Sequence, residues 1–529
     1  MVPHIPSPGN VPLPHSLPVA AGRASAAAAP AVAGPLRELL AHDVGRWPEF
    51  GLRCAKQRTV RSVFRGELGG VPVFVKVFRA DTLIDRVRDL VRADRGRAEC
   101  RHLAAAAGLG LPVVEPLAHG FAVEGDHLRS FVVTRAAPGA PFDFGADAGA
   151  QRRTGVLLRR LHDLGVLVAD LHPGNVLIDD VGAPRLLDLT SVRHGEPASA
   201  PDRARGLARF CNVLDGGALD PAAAALFAGY LAAGALPATF PGEVAAAARR
   251  LRASSLHAFG RRAFRDCAHT ETTPRRRATP RWVWHLPTAD ATVRAACAAF
   301  ADAPGAPTKS GRRGAVWLHG DLAVKERDAG AARKLWRASY WLAYAGVDAP
   351  PPVALRLHAG RGLVCVRRVG AGSLADELAA APPSPAAAVA DAARLGRSVG
   401  RLHAHGLGNR DLKFSNLVRD PASGALAMVD LDGVRRRAAT ETRGRGADLG
   451  RLLAAFDAAG RPGGERAVRA FLRGYARAHR DLLQATPLRR LLRRAMARAG
   501  EWRAAHAGQR PAATARDGGM AVAPKPASQ

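Results

Sequence analysis

The sequence predicts an α+β fold built twice over, and three observations carry that prediction. Hydrophobic residues make up 47% and charged residues 23%, a globular balance that excludes a mostly disordered chain and a protein of many membrane spans. At 529 residues the chain exceeds one ordinary core and suits two or three. Third, LHDLGVLVADLHPGNVLIDD at 161–180 returns as LHAHGLGNRDLKFSNLVRD at 402–420. Leu161, His162, Asp170 and Asn175 meet Leu402, His403, Asp411 and Asn416 at one displacement of 241 residues, a spacing that chance does not readily supply. An apolar strand ending in aspartate follows each copy, RLLDLTSVR with Asp188 and AMVDLDGVR with Asp430. Further on, FAGYL at 227–231 resembles FLRGYA at 471–476.

Taken in chain order, residues 1–34 carry many prolines, one charge at Arg23 and no basic n-region, which reads as a disordered N-terminal tail and not a secretory signal. In VPVFVKVF (71–78) Lys76 alternates with valines, the period-2 pattern of a half-buried strand, and LAVKE (322–326) repeats it around Lys325. Helical stretches follow at 96–108 and 331–346. Next come LPVVEPL and APPPVAL, a further strand, a helix, and the repeated loop. Residues 221–242 are uncharged, but Pro237 and Pro241 interrupt them, making a poor transmembrane helix and a reasonable buried one. TTPRRRATP and DAPGAPTKSG read as linker. The expected division is a first unit at 35–270, a linker at 271–305, a second unit at 306–508 and a disordered tail at 509–529.

The formal net charge is +31, from 77 basic and 46 acidic side chains. Such a charge points to acidic partners (nucleic acid, an anionic membrane face or phosphorylated ligands) or to drift in a sequence saturated with Ala, Arg, Gly and Pro. Aromatics are only 5%, and no recognition motif accompanies the arginines, so nucleic acid is the weakest of these. Six scattered cysteines without a CxxC pair favour neither a zinc site nor a disulfide framework, and fit the cytoplasm. In PLRRLLRRAMARAGEW, Leu488, Leu491, Leu492, Ala495, Met496, Ala499 and Trp502 share one helical face. That face suits the packed end of a domain better than a peripheral contact with an anionic membrane.

Phosphoryl transfer needs cations on the nucleotide phosphates, a carboxylate at the acceptor hydroxyl and oxygen ligands for magnesium. Each copy offers that set in order: a strand lysine, an Asp-x-x-x-x-Asn loop, and a strand-terminal aspartate. Asp170 and Asp411 are the candidate catalytic residues. Asn175 with Asp188, and Asn416 with Asp430, are the candidate magnesium ligands. Only seven of the basic residues are lysine, so a lysine marks a place where a compact ammonium serves and a planar guanidinium does not. Lys76 and Lys325 hold the strand position, and Lys413 lies two residues after Asp411, where the first copy has His172. Either side chain could contact the transferred phosphate.

VFVK, RAEC, ADLHPGN and LLDLTS in the first copy, and LAVK, NRDLKFSN and MVDLDG in the second, resemble the protein-kinase-like superfamily. Within it, KQRTVRSVFRGELGGVPVFVK, TKSGRRG and VDLDGVRRR resemble the bacterial Kdo/WaaP lipopolysaccharide kinases, which phosphorylate inner-core sugars from ATP. The resemblance spans 52–270 and 306–480. It implies two tandem bilobal domains, each a small antiparallel-sheet lobe plus a larger helical lobe, with ATP and Mg2+ in the cleft. It also implies that Glu99 pairs with Lys76. In the second copy, aligning LPVVEPL on APPPVAL sets Arg337 opposite Glu99, and the nearby alternatives Leu335 and Trp336 carry no carboxylate either, so Lys325 is expected to lack its partner. Val168-Ala169 replace the His-Arg of regulated protein kinases, and constitutive activity follows. The expected function is transfer of phosphate from ATP to a sugar hydroxyl of a glycolipid. The alternatives are a protein or small-molecule acceptor, or a pseudokinase scaffold, the second unit above all.

Overall fold

The computed structural model describes residues 13, 15–58, 61–79, 94–214, 217, 220–267, 269–274, 279–312, 314–437, 441–480 and 485–506. The first unit opens with β1 (Leu17–Ala21), β2 (Ala24–Ala28) and α1 (Pro30–Leu40). A 3-10 turn (Val44–Phe50) leads to β3 (Arg53–Arg58), β4 (Arg61–Leu68) and β5 (Val71–Phe78). Then come α2 (Arg95–Gly108), β6 (Pro116–Glu124) and β7 (His127–Arg135). The seven strands form one antiparallel sheet in the order β1-β2-β6-β7-β5-β4-β3. Alternation along β5 serves both faces: Val73, Val75 and Val77 are buried in one core with α1 and Trp47, while Lys76 reaches the opposite face and α2.

The helical lobe contains β8 (Ala140–Pro141), α3 (Ala148–Asp163), β9 (Val166–Val168), β10 (Val176–Ile178), β11 (Pro184–Leu186) and β12 (Val192–His194). It closes with α4 (Ala200–Phe210), α5 (Ala224–Ala232) and α6 (Phe240–Arg262) around Leu158, Leu161, Leu207, Phe210, Tyr230 and Phe240.

The second unit repeats this plan. Its sheet comprises β13 (Thr270–Thr272), β14 (Arg281–His285), β15 (Lys309–Gly311), β16 (Gly314–His319), β17 (Leu322–Asp328), β18 (Pro352–His358) and β19 (Arg361–Arg367). The order, β13-β14-β18-β19-β17-β16-β15, matches the first sheet strand for strand. Even the register shift of β6 between Pro116 and Ala118 recurs in β18 between Pro352 and Ala354. The helices here are α7 (Ala291–Asp302) and α8 (Ala329–Tyr344). In the helical lobe stand α9 (Leu374–Ala380), α10 (Pro385–Ala404), β20 (Leu407–Asn409), β21 (Leu417–Arg419), β22 (Leu426–Met428) and β23 (Val434–Arg436). They are followed by α11 (Thr442–Ala458), α12 (Gly464–Ala478) and α13 (Ala485–His506). The fold is two bilobal kinase-like domains in tandem.

Two expected boundaries are corrected. Residues 17–34 are no disordered tail: β2 pairs with β6 from Ser25↔Phe121 to Ala28↔Ala118, and α1 buries Val32, Leu36, Leu39 and Leu40. Likewise 271–305 is no linker, since β14 pairs with β18 and α7 packs Cys297 and Phe300 beside Trp317. The reason is tertiary. ASAAA has weak strand propensity alone and becomes β2 because β6 offers an edge to pair with. Gly120 permits the approach, for a Cβ there would lie 2.1 Å from the Ser25 carbonyl oxygen. The first unit therefore begins by residue 17 and the second by residue 270. Residues 1–12 and 14 of the expected tail, 275–278 of the expected linker, and all of 509–529 lie outside the described residues.

Among the described residues no helix is long and apolar enough to cross a membrane. The 221–242 stretch divides into α5 and the start of α6, with Pro241 in the first turn of α6. Helix α13 is the packed end of its unit. It lies so close to α11 that a Cβ at Gly450 would meet Arg498 Cβ at 2.7 Å, and it buries Leu491, Ala495 and Ala499.

Candidate active site

In the first unit, β5 and α2 bring Lys76 and Glu99 together, with Lys76 Nζ donating to Glu99 Oε1 at 2.6 Å. Lys76 Nζ also donates to Asp188 Oδ2 at 3.0 Å, as Arg61 Nη1 does at 3.2 Å. The Glu99 side chain is only 2% exposed, and its second oxygen is buried with no hydrogen-bond partner among the described residues. Burial, opposed by the Lys76 charge, pushes its carboxyl up to about 7. At Asp188 burial also acts upward, but Lys76, the Thr190 side chain and Arg61 outweigh it and hold the carboxyl below its ordinary value. Gly96, one turn before Glu99, lets α2 approach the sheet, for a Cβ there would fall 2.0 Å from the Phe131 carbonyl oxygen.

The loop after β9 presents Asp170 at the surface, and Asn175 Nδ2 donates to the Asp170 carbonyl at 2.9 Å. Backbone bonds from Asn175 N–H to His172 O (2.9 Å) and from Leu187 N–H to Asn175 O (3.0 Å) fix the turn against the strand leading to Asp188. The second unit builds the same loop: Asn416 Nδ2 donates to Asp411 O at 2.8 Å, and Asn416 N–H to Lys413 O at 3.0 Å. His172 is half-buried and Lys413 exposed beside their aspartates.

The second cleft differs at the helix. Lys325 Nζ donates to Asp430 Oδ1 at 3.2 Å and to the Val429 carbonyl at 3.3 Å. Burial acts upward on Asp430, but Lys325 and the Asp432 hydrogen bonds hold its carboxyl below the ordinary value. Of the three positions weighed opposite Glu99, the place belongs to Leu335 and not to Arg337. Both helices end in the same bonded turn, Leu111 N–H to Ala106 O and Val347 N–H to Leu342 O, each 3.0 Å, with Gly110 and Gly346 at positive φ. Counting back from that turn, the place of Glu99 belongs to Leu335, which lines a small pocket with Lys325. Arg337 points away, its guanidinium 5.2 Å from the Phe264 ring. A cleft of about 550 Å3 surrounds Lys325 and Asp430, with Lys309, Arg312, Arg327 and Arg368 on its walls. Arg327 is committed to Asp432 at 2.8 Å.

The two aspartate–asparagine loops are also anchored differently. His162 Nδ1 shares a 2.6 Å hydrogen bond with Tyr230 OH, and His403 Nδ1 a 2.7 Å bond with Tyr475 OH. Burial pushes His162 down to about 4, and it pushes His403 below its ordinary value against the opposing Asp448 carboxylate. Beyond His403 lies Asp448, fully buried, accepting from the Asn409 N–H at 3.0 Å and from Arg437 and Arg451 at 3.3 Å. Asn409 Oδ1 in turn accepts the Asp411 N–H at 3.0 Å. The first unit has Gly206 in the place of Asp448, where a Cβ would lie 2.5 Å from His162 Nε2. Thus the first unit keeps the helix glutamate without the anchoring aspartate, and the second keeps the anchor without the glutamate.

Arg61, Tyr230, Tyr475, Asp448 and Arg437 were not singled out by sequence. The repeat held a signal for the tyrosines in FAGYL and FLRGYA. Asp448 had none, because its counterpart is a glycine.

No family model matches the chain, and no curated protein matches it. Among solved structures the chain is similar to WaaP in complex with acyl carrier protein, at 16% identity and a TM-score of 0.27, over 41% of this chain and 95% of that chain. At that identity and score the likeness bears on neither activity nor substrate.

Proposed function

We propose that the chain is an ATP-dependent phosphotransferase whose first unit carries the transfer, with a sugar hydroxyl of the lipopolysaccharide inner core, Kdo or heptose, as acceptor. The observation that carries the reading is Lys76 held between Glu99 and Asp188 beside the Asp170–Asn175 loop. When bound, magnesium and ATP supply the phosphoryl group and the charge that bridges its phosphates. The residues suit that pair. Asn175 commits its amide nitrogen to Asp170 O, leaving the amide oxygen for a cation beside ionised Asp188. Among the described residues no cluster of three or more His, Cys, Asp or Glu forms a cage. One carboxylate, one amide oxygen and phosphate oxygens make the kind of set that holds magnesium.

Lys76 neutralises phosphate charge, and Glu99 orients it. Asp170, at the surface of the loop, accepts the proton of the attacking hydroxyl or orients it. Arg61, on β4 and already at Asp188, adds a second cation on the phosphate side. The acceptor assignment rests on the resemblance of the KQRTVR…VFVK and VDLDGVRRR segments. The basic surface suits a phosphorylated glycolipid at an anionic membrane face.

A second reading applies to the second unit alone: nucleotide binding without transfer, favoured by Leu335 in the place of the glutamate. The test incubates the purified chain with magnesium, ATP and extracted lipopolysaccharide, and weighs the core oligosaccharides by mass spectrometry. Asp170→Ala should cut transfer by about 10²- to 10⁴-fold, the range for loss of a general base, and Asp411→Ala should leave most of it. Full activity in both variants would remove the catalytic assignment.

A further inference from the structure

Helix α6 belongs to two cores at once. Its first half places Phe240, Val244, Ala247 and Ala248 in the helical lobe of the first unit. Its second half places Leu256, with Ala263 just beyond, in the core that contains α8 of the second unit. The contact is intimate. Trp336 Nε1 donates to Ala263 O at 2.8 Å, and Phe259 lies 5.8 Å from the Tyr340 ring and 5.3 Å from the Tyr344 ring. A Cβ on Gly260 would fall 2.3 Å from Trp341 Nε1.

The matching face of α2 in the first unit is bare of such groups. By the shared terminal turn, Tyr340, Trp341 and Tyr344 stand where α2 has Ala104, Ala105 and Gly108. So the helix that retains its glutamate has a small-residue outer face, and the helix that lost it has an aromatic outer face covered by the other unit. The inner side of α8 meets the cleft, where Leu335 and Ser339 line a pocket with Lys325.

We propose that α6 is a positioning element for the second cleft: by holding α8 from outside, it sets Lys325 as Glu99 sets Lys76 from inside the first. Occupancy of the second cleft is then linked to the docking of the first unit. The nucleotide-binding readout rests on the function proposed above, whereas the lysine-reactivity readout does not.

Two substitutions in the full-length chain test this. Gly260→Leu forces the interface apart, and Tyr344→Ala removes one half-buried ring while Tyr344→Phe keeps it. Brief acetylation with an activated ester, read by mass spectrometry, gives the reactivity of Lys325 with Lys76 as internal control. Gly260→Leu and Tyr344→Ala should raise the Lys325 rate by about ten-fold, within the span of coupling between linked sites, leaving Lys76 unchanged and Tyr344→Phe at the parental rate. In a Lys76→Met background, calorimetry should show ATP binding to the second cleft weakened by a similar factor. An unchanged Lys325 rate in both disruptive variants, or a parallel rise at Lys76, overturns the proposal. Altered Lys325 reactivity in a chain whose second cleft takes no ATP supports the positioning role and removes the nucleotide reading of that cleft.

Discussion

Glu99 is the group through which pH should control the first cleft. Its carboxyl is pushed up to about 7 from 4.5, because burial costs the charged form more than Lys76 returns. The Lys76 ion pair exists only when Glu99 is ionised, so at pH 6 about one-tenth of the molecules hold it and at pH 8 about nine-tenths do. Turnover confined to the first cleft by Asp411→Asn should therefore show kcat/KM rising about ten-fold between pH 6 and the plateau. Glu99→Gln removes the titrating group without removing bulk. Its profile should be flat across that window and lie about ten-fold or more below the wild-type plateau, the loss expected for a charge-assisted hydrogen bond. Stability gives an independent measurement. A carboxyl raised in the folded state stabilises fully below pH 4.5, and that contribution drains away as pH rises to 7, about 3 kcal/mol in all. Urea titrations should show this decline in the parent and not in Glu99→Gln. A limb near pH 7 that survives Glu99→Gln, or a parent profile flat from pH 6 to 8, would refute the reasoning.

Three further outcomes follow from the geometry. Deleting residues 1–28 removes β1 and β2 and bares the edge of β6, so the first unit should lose about 2 kcal/mol, most of it from burial of Val19, and melt several degrees lower. Deletion of a disordered tail would change neither. Asp448→Asn leaves Arg437 and Arg451 short of their buried carboxylate and should cost the second unit about 3 kcal/mol or more in urea unfolding, with the first unit's transition unmoved. Leu335→Glu returns a carboxylate to the side of Lys325. ATP affinity of the second cleft, by calorimetry, should rise by about ten-fold, and Leu335→Gln should not reproduce the gain.

The parts legible in the sequence were those set by local pattern. The alternation around Lys76 and Lys325 marks strands whatever surrounds them, and both fall in β5 and β17 as that period requires. The loop residues Asp170, Asn175, Asp411 and Asn416 were legible because one displacement relates them. Where pattern was weak, position was lost. ASAAA carries no strand signal, and the proline- and arginine-rich TTPRRRATP sequence gives no sign that β13 pairs antiparallel with β14. The helix register failed for a related reason. Chain-level alignment is blind to helix ends, whereas the Ala106–Leu111 and Leu342–Val347 bonds mark them and move the comparison from Arg337 to Leu335.

The sequence alone determined that the chain is a duplicated unit with a lysine, an aspartate–asparagine loop and a second aspartate in fixed order, since those follow from short-range periodicity and spacing. Tertiary structure decided which of those groups meet. Lys76 bridges two carboxylates, whereas among the described residues Lys325 meets the single carboxylate of Asp430, because α2 turns a glutamate toward its strand and α8 turns a leucine. It decided as well that α6 spans two cores. Its contacts with the aromatic residues of α8 join residues 73 to 85 positions apart, and no local pattern encodes a pairing at that distance.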